Sequence, residues 1–374
     1  MTPEQARFAE FVATLGRGPG KSRALTRDEA REAFGLVLRD AVDPVQLGAF
    51  LMLLRYRGED ADEIAGLVEA ARAAAGLPAD LGAALDWPSY GAGRTRGAPW
   101  FLLAALALAR AGVAVLMHGS NRFSQGVGVA EGLAALGMGP AESLADAGGQ
   151  IARGGFAYLP LGTVLPQLDR LLELRALLGL RSPVNTVVRL LDPADAPAGV
   201  DGVFHPAYLD VHMGVAERLA RPRLLVLKGG GGEAERNPAK AAVGHLWDGR
   251  AGQRSEVTFP VLSTAPAERG DAALLAAVWS GETRPEGAVA TVLATIALAL
   301  VALGQATPGE ADRVAAEVWA ARGGVGRAAA RGPSVATWTA PGTVEASIAR
   351  HRQGTPRHRD HHGRIPFARE HADG

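Results

Sequence analysis

The sequence predicts an α/β fold: a small N-terminal helical bundle, then a larger α/β domain with a mostly parallel central sheet. Three observations carry this. Apolar residues recur at helical spacing through the first 76 residues. Beyond Pro78, short apolar runs alternate with longer helical stretches, the pattern of parallel strands joined by crossover helices. From about Gly332 the apolar periodicity dissolves. At roughly 150 residues per domain, a chain of 374 residues accommodates the division that follows. A helical domain is expected over 1–78, an α/β domain over 79–331, and a flexible, basic, His-rich tail over 332–374.

The four N-terminal helices are expected at 8–15, 30–38, 45–54 and 64–75. Thr26 with Glu29 forms a capping-box pattern, Asp43-Pro44 supplies an N-cap and first helical residue, and Asp60 can cap the fourth. A glycine-rich loop between the first two helices carries Arg17, Lys21 and Arg23. Buried strands are read at 86–88, 113–117, 156–159, 200–204 and 224–227, with helices at 100–110, 127–136, 164–178 and 208–219. Two further helices, near 272–280 and 308–322, flank a run of 18 uncharged residues at 287–304. That run reaches the lower limit of a membrane span, but its Ala, Gly and Thr content reads as a buried core helix. The tail holds five of the nine histidines in its last 24 residues and at most a short helix at 344–350.

Charge refines the picture. The 39 basic and 39 acidic residues cancel, yet 87–130 contains no Asp or Glu and four arginines. The stretch 221–254 holds seven basic residues against three acids. Only Lys21, Lys228 and Lys240 are lysines, so the cation is overwhelmingly arginine. An Arg-, Ala- and Gly-rich composition accounts for this as well as phosphate recognition does. The absence of cysteine excludes disulfides, thiolate metal sites and a Cys nucleophile. The polar, acid-containing first ten residues are not a signal peptide, so a cytoplasmic protein without membrane partners is expected.

Four segments could carry chemistry. Gly91-Ala92-Gly93-Arg94-Thr95-Arg96 lies between a strand and a helix start, where backbone N–H groups favour anions. His118-Gly119-Ser120-Asn121-Arg122 follows the second strand, where ligands gather in α/β sheets. His118 reads as a ligand contact or as a core histidine. Arg175, Arg181 and Asn185 mark a helix end and the loop after it. Arginine there also suits the helix dipole alone. Lys228-Gly229-Gly230-Gly231-Gly232-Glu233 follows a buried strand, and glycines so placed suit a backbone cradle for phosphate or a mobile loop. Arg236 and Lys240 follow closely.

Together these residues resemble the anthranilate phosphoribosyltransferase-like family, glycosyltransferase family 3. Val45-Gln46-Leu47-Gly48-Ala49-Phe50-Leu51, with Arg55, Gly58, Glu59 and Ile64-Ala65-Gly66, resembles its helical dimerisation domain. His118-Gly119 with Asn121-Arg122 resembles its His-Gly-Asn-Arg segment, with Ser120 inserted. Arg175, Arg181, Ser182 and Asn185 resemble its Arg…Arg-Thr…Phe-Asn segment. The resemblance covers roughly residues 1–330. It implies a nucleoside phosphorylase/phosphoribosyltransferase-like fold and a homodimer through the N-terminal helices. It also implies phosphoribosyl diphosphate with magnesium if the protein is an enzyme.

Departures from that pattern shape the functional expectation. Gly91-Ala92-Gly93-Arg94 stands where the enzymes carry Gly-Thr-Gly-Gly-Asp, and Gly232-Glu233 stands at their Asp-Glu pair. Glu233 is therefore the remaining candidate for magnesium. The string 228–240, with His205-Pro206, looks most like the YbiB-like, nucleic-acid-binding branch. The leading expectation is a non-catalytic or weakly catalytic homologue that needs no cofactor and binds single-stranded DNA or RNA through backbone phosphates. Arg94, Arg96, His118, Asn121, Arg122, Lys228, Gly229, Gly230, Arg236 and Lys240 would be its contacts, with Arg17, Lys21 and Arg23 as an outer rim. The alternative is a phosphoribosyltransferase for an aromatic or heterocyclic acceptor, held by Arg175, Arg181 and Asn185. A third reading is a regulatory protein that binds a small anion without turnover.

Overall fold

A computed structural model describes residues 1–18, 20–91, 97–120 and 126–323. Four helices open the chain: α1 (Pro3–Gly16), α2 (Arg27–Leu38), α3 (Pro44–Arg57) and α4 (Ala61–Ala74). Each starts on a full capping box, Thr2/Gln5, Thr26/Glu29, Asp43/Gln46 and Asp60/Glu63. The reciprocal bonds satisfy two N–H donors that a helix start otherwise leaves orphaned. Helices α2 and α4 approach closely at Gly66, where an added Cβ would overlap the Arg27 carbonyl oxygen.

The α/β part runs β1 (Leu85–Ser89), α5 (Trp100–Arg110), β2 (Val115–Gly119), α6 (Val129–Ala135), α7 (Leu144–Gly154) and β3 (Phe156–Pro160). It continues through α8 (Leu161–Val164), α9 (Pro166–Leu178), α10 (Val184–Val187), β4 (Ala198–Val203), α11 (Ala207–Arg218) and β5 (Arg223–Lys228). It closes with β6 (Ala242–Asp248), β7 (Gln253–Phe259), α12 (Ala272–Ser280), α13 (Glu286–Ala302) and α14 (Ala311–Ala321). The seven strands are ordered β3-β2-β1-β4-β5-β6-β7. Strands β1 to β5 pair in parallel, whereas β5–β6 and β6–β7 are antiparallel.

Period-two alternation divides the strand side chains between two faces. Leu225 and Leu227 join the core built on α5 and α13, while Leu224 and Val226 join the core shared with α1–α4 and α11. The uncharged run at 287–304 is accordingly the buried α13. No helix among the described residues is long and apolar enough to cross a membrane.

The hairpin β6–β7 and helix α7 were not anticipated. Strand β7 exposes most of its residues and has no apolar run to signal it. The tail from 332, including the helix read at 344–350, lies outside the described residues.

One ion cluster lies inside the fold. Arg221, 2% exposed, is 3.2 Å from Asp86 and 3.1 Å from Asp192 through Nη2. Burial pushes the Asp192 carboxyl up to about 6, with Arg221 opposing and the like charge of Asp86 adding. Its folded value thus lies above the unfolded value of about 4. The native state binds the extra proton between about pH 4 and pH 6, so this group's contribution to stability falls as pH rises through that window. Urea unfolding at pH 4, 5 and 6 should show Asp192→Asn flattening the fall seen in the parent chain. An unaltered profile would show that Asp192 does not titrate in that window.

Candidate functional site

Strand order reverses between β1 and β4, each flanked on its other side by a later parallel strand. Open α/β sheets bind ligands at such a switch point, beyond the carboxyl ends of the strands. A cavity of about 290 Å³ lies there. Tyr90 reaches it from the end of β1, and Gly202, Val203, Phe204 and His205 from the end of β4. Arg175, Arg181, Asn185 and Arg189 come from α9 and the segment after it, Tyr208 and His212 from α11, and Arg55 from α3.

Four arginines therefore converge on one cavity. Arg181 is the most informative. Burial pulls its guanidinium below the usual range, and repulsion from Arg175, Arg189 and Arg55 pulls the same way. An anion entering the cavity relieves that repulsion. Arg55 donates to the Tyr208 hydroxyl, which donates to Glu59 at 3.0 Å. Burial raises the Glu59 carboxyl, against the Tyr208 bond and Arg55. Phe204, 43% exposed, offers an aromatic face at the rim, with the Arg181 guanidinium 5.7 Å from its ring centre. Asn185 closes its own loop by accepting the Ser182 N–H at 3.2 Å.

A second, buried row of charge lies behind the cavity. Arg189 Nη1 donates to Asp201 Oδ1 at 3.3 Å, and its Nη2 is 3.7 Å from Glu233 Oε1. Glu233 Oε1 accepts the Gly91 N–H at 2.5 Å, which joins the glycine loop after β5 to the loop after β1. Glu233 is fully buried, and its Oε2 has no hydrogen-bond partner among the described residues.

The predicted residues divide clearly. Arg175, Arg181 and Asn185 meet in the cavity. Lys228 and Lys240 are exposed, Gly230 is exposed and Gly229 is buried. Lys228 sits in register with Val203, at the same end of the sheet as Phe204, and is not part of the cavity lining. Arg94, Arg96, Asn121 and Arg122 lie outside the described residues. Arg17 and Lys21 are exposed, while Arg23 is paired with Glu29 at 2.6 Å.

Two contacts proposed from sequence are corrected. Strand β2 extends to Gly119, two residues beyond its expected end, and that turns His118 into the core. Its Nε2 is 3.2 Å from Asp86, which leaves Nδ1 to accept the Tyr90 hydroxyl at 2.9 Å. The His118 side chain is held at the strand ends by Asp86 and Tyr90 and is not part of the cavity lining. Arg236 is fully buried: it donates to Asp312 at 2.7 Å and to the Pro260 carbonyl, and it lies over Phe259. It is a structural cation. Four of the seven basic residues in 221–254 are likewise paired with acids. Arg221 pairs with Asp86 and Asp192, Arg223 with Asp248, Arg236 with Asp312 and Arg254 with Glu217.

Sequence reasoning missed Arg189, Asp201, Phe204, Tyr208 and His212 as site residues. Arg189 follows Asn185 by four positions, and Tyr208 and His212 share the (i, i+4) spacing of one helix face. Those spacings were the available signal.

Known proteins share this fold. Residues 9–75 match the helical bundle domain of the glycosyl transferase family, and residues 101–321 match its a/b domain. The chain is 31% identical over 338 residues to an anthranilate phosphoribosyltransferase of Methylorubrum populi, covering 87% of this chain and 96% of that one. It is 33% identical over 297 residues to the Rhizobium rhizogenes enzyme of that name, covering 75% and 85%. The Thermus thermophilus anthranilate phosphoribosyltransferase superposes with a TM-score of 0.70 at 26% identity, covering 85% of this chain and 95% of that one. A Saccharomyces cerevisiae anthranilate phosphoribosyltransferase, solved in complex with PRPP and Mg, has a TM-score of 0.69 at 16% identity and shares the fold, with the same coverage of 85% and 95%. The chain belongs to glycosyl transferase family 3, with anthranilate phosphoribosyltransferases among its homologues.

Proposed function

We propose that this chain is a phosphoribosyltransferase whose acceptor is a small anionic aromatic or heterocyclic acid. The observation that carries this is the cavity at the switch point, lined by Arg55, Arg175, Arg181 and Arg189 together with Phe204 and Tyr208. Guanidinium forks suit a carboxylate, and the aromatic faces suit a planar ring. The relatives' names, over nearly the full chain, support the same reaction class.

The donor would lie across the strand ends, by Gly91 and the loop 228–233. Magnesium typically binds through one or two carboxylates plus substrate phosphates. The buried, unpartnered Oε2 of Glu233 fits as the oxygen that would hold it. The ion would neutralise charge on the departing diphosphate. With Gly232 in place of a second carboxylate, Arg189 and Lys228 supply the remaining positive charge. The chain's own part in the reaction is to orient the acceptor and to offer fixed cations where charge develops.

A nucleic-acid-binding role, as in the YbiB-like branch, is the second reading. It is favoured by an exposed aromatic, Phe204, and an exposed cation, Lys228, at the ends of the paired strands β4 and β5.

Calorimetry on the full-length chain separates the two. The ligands are 2-aminobenzoate, phosphoribosyl diphosphate with magnesium, and a single-stranded oligonucleotide, each at low and moderate salt. The acid and the sugar phosphate are expected to bind, and mixing them should release diphosphate. Arg181→Ala should weaken acid binding about 10- to 100-fold, the loss of a charge-assisted contact. Steeply salt-dependent oligonucleotide binding without small-ligand heats would replace the transferase reading with the second one.

A further inference from the structure

We infer that His212, oriented by Asp201, is the specificity-determining hydrogen-bond acceptor of the cavity. It would recognise an N–H or O–H donor adjacent to the acid group of the ligand. The inference rests on the acceptor-binding reading above and assigns that site a residue outside the sequence motifs.

The cavity is rich in donors. Arg55, Arg175, Arg181 and Arg189 donate only. The cavity's side-chain acceptors include Asn185 Oδ1, which takes the Ser182 N–H, the Tyr208 hydroxyl, which takes the Arg55 guanidinium, the hydroxyls of Ser182 and Thr186, and the rings of His205 and His212; of the two rings, only His212 is set against a buried carboxylate. His212 is different. Its ring lines the cavity from α11 and is 2% exposed. Its Nδ1 stands 2.6 Å from Asp201 Oδ2.

Asp201 is itself fixed. It lies on β4, is 1% exposed, and its Oδ1 receives the Gly202 N–H at 2.7 Å and Arg189 at 3.3 Å. The pair is close without being an aligned hydrogen bond, and a carboxylate this near still favours the ring proton on Nδ1 and the lone pair on Nε2. A His–Asp pair could serve only to tie α11 to β4. A purely structural pair would not distinguish two ligands that differ by one donor, whereas an acceptor would.

That difference is the test. Benzoate and 2-aminobenzoate share the ring and the carboxylate and differ by one amino group. Calorimetry on the full chain should find 2-aminobenzoate about 5- to 10-fold tighter, one net hydrogen bond. In His212→Phe the preference should vanish, with benzoate affinity changed less than about twofold. Asp201→Asn, which releases the ring tautomer, should also shrink the preference, and His212→Gln, which keeps a side-chain acceptor, should restore part of it. Thermal unfolding checks that each variant is folded; if His212→Phe is not, the Gln and Asn variants carry the comparison. Equal affinities in the parent chain, or a preference that survives removal of the acceptor, would overturn the role of His212 alone. Failure of both acids to bind would overturn the acid-binding reading, and the role of His212 with it.

Discussion

Replacing Arg221 with leucine should lower the unfolding free energy by about 3–5 kcal/mol, the expected cost of breaking a buried ion pair from one side. The guanidinium stands between Asp86 on β1 and Asp192 in the segment before β4, both at most 1% exposed. Leucine fills part of the volume but leaves two carboxylates in a medium that cannot solvate them. Burial on its own raises Asp86, and His118 with Arg221 overturns this and holds it below the carboxylate range. Without Arg221 that balance rests on His118 alone. His118 also meets Tyr90, whose neighbour Gly91 is held by Glu233. The damage should therefore reach the ligand end of β1. Urea unfolding measures the loss. The double variant Arg221→Leu, Asp192→Asn should recover part of it, since one stranded charge is removed. A loss below about 1 kcal/mol would mean that water reaches the cluster.

The second large effect concerns the four glycines after β5, which are not equivalent. A Cβ on Gly229 would overlap the carbonyl oxygen of Glu233, whereas one on Gly230 meets nothing within 4 Å. Gly231 and Gly232 have φ values of 68° and 81°, in the left-handed region that side chains disfavour. Gly229→Ala must push Glu233 away and break its bond to the Gly91 N–H. Overpacking of this kind costs about 1–3 kcal/mol. Affinity for phosphoribosyl diphosphate should fall at least about 10-fold. Gly230→Ala should bind as the parent chain does and be unchanged or slightly more stable. Calorimetry on the pair decides the matter: equal behaviour of the two variants would show that the loop adapts freely and does not form a fixed cradle.

These two sites also show where sequence reading succeeds and stops. Capping boxes at Thr26 and Asp43, helical spacing in the first 76 residues and the alternation after Pro78 are local signals, and the helices and parallel strands followed them. Arg175, Arg181 and Asn185 were legible because they sit close together in the chain and in the cavity. The charge map was not legible. Within the apparent surplus of cations between 221 and 254, Arg221, Arg236 and Arg254 pair with Asp86, Asp192, Asp312 and Glu217, acids outside that stretch. Only folding brings those charges within reach of one another. His118 was assigned to a loop because two residues of strand length decide which way a side chain faces.

Sequence alone was enough for the fold class, the family resemblance and the absence of thiol chemistry. These depend on periodicity, turn residues and motifs, which are properties of neighbouring residues. Tertiary structure decided which cations are structural and which face the cavity, and that Asp201 stands against His212. It also decided that a glutamate from one glycine loop fastens another. Each of those depends on groups that meet only in the folded chain, as Gly91 and Glu233 do once β1 and β4 lie side by side, and no local pattern records that meeting.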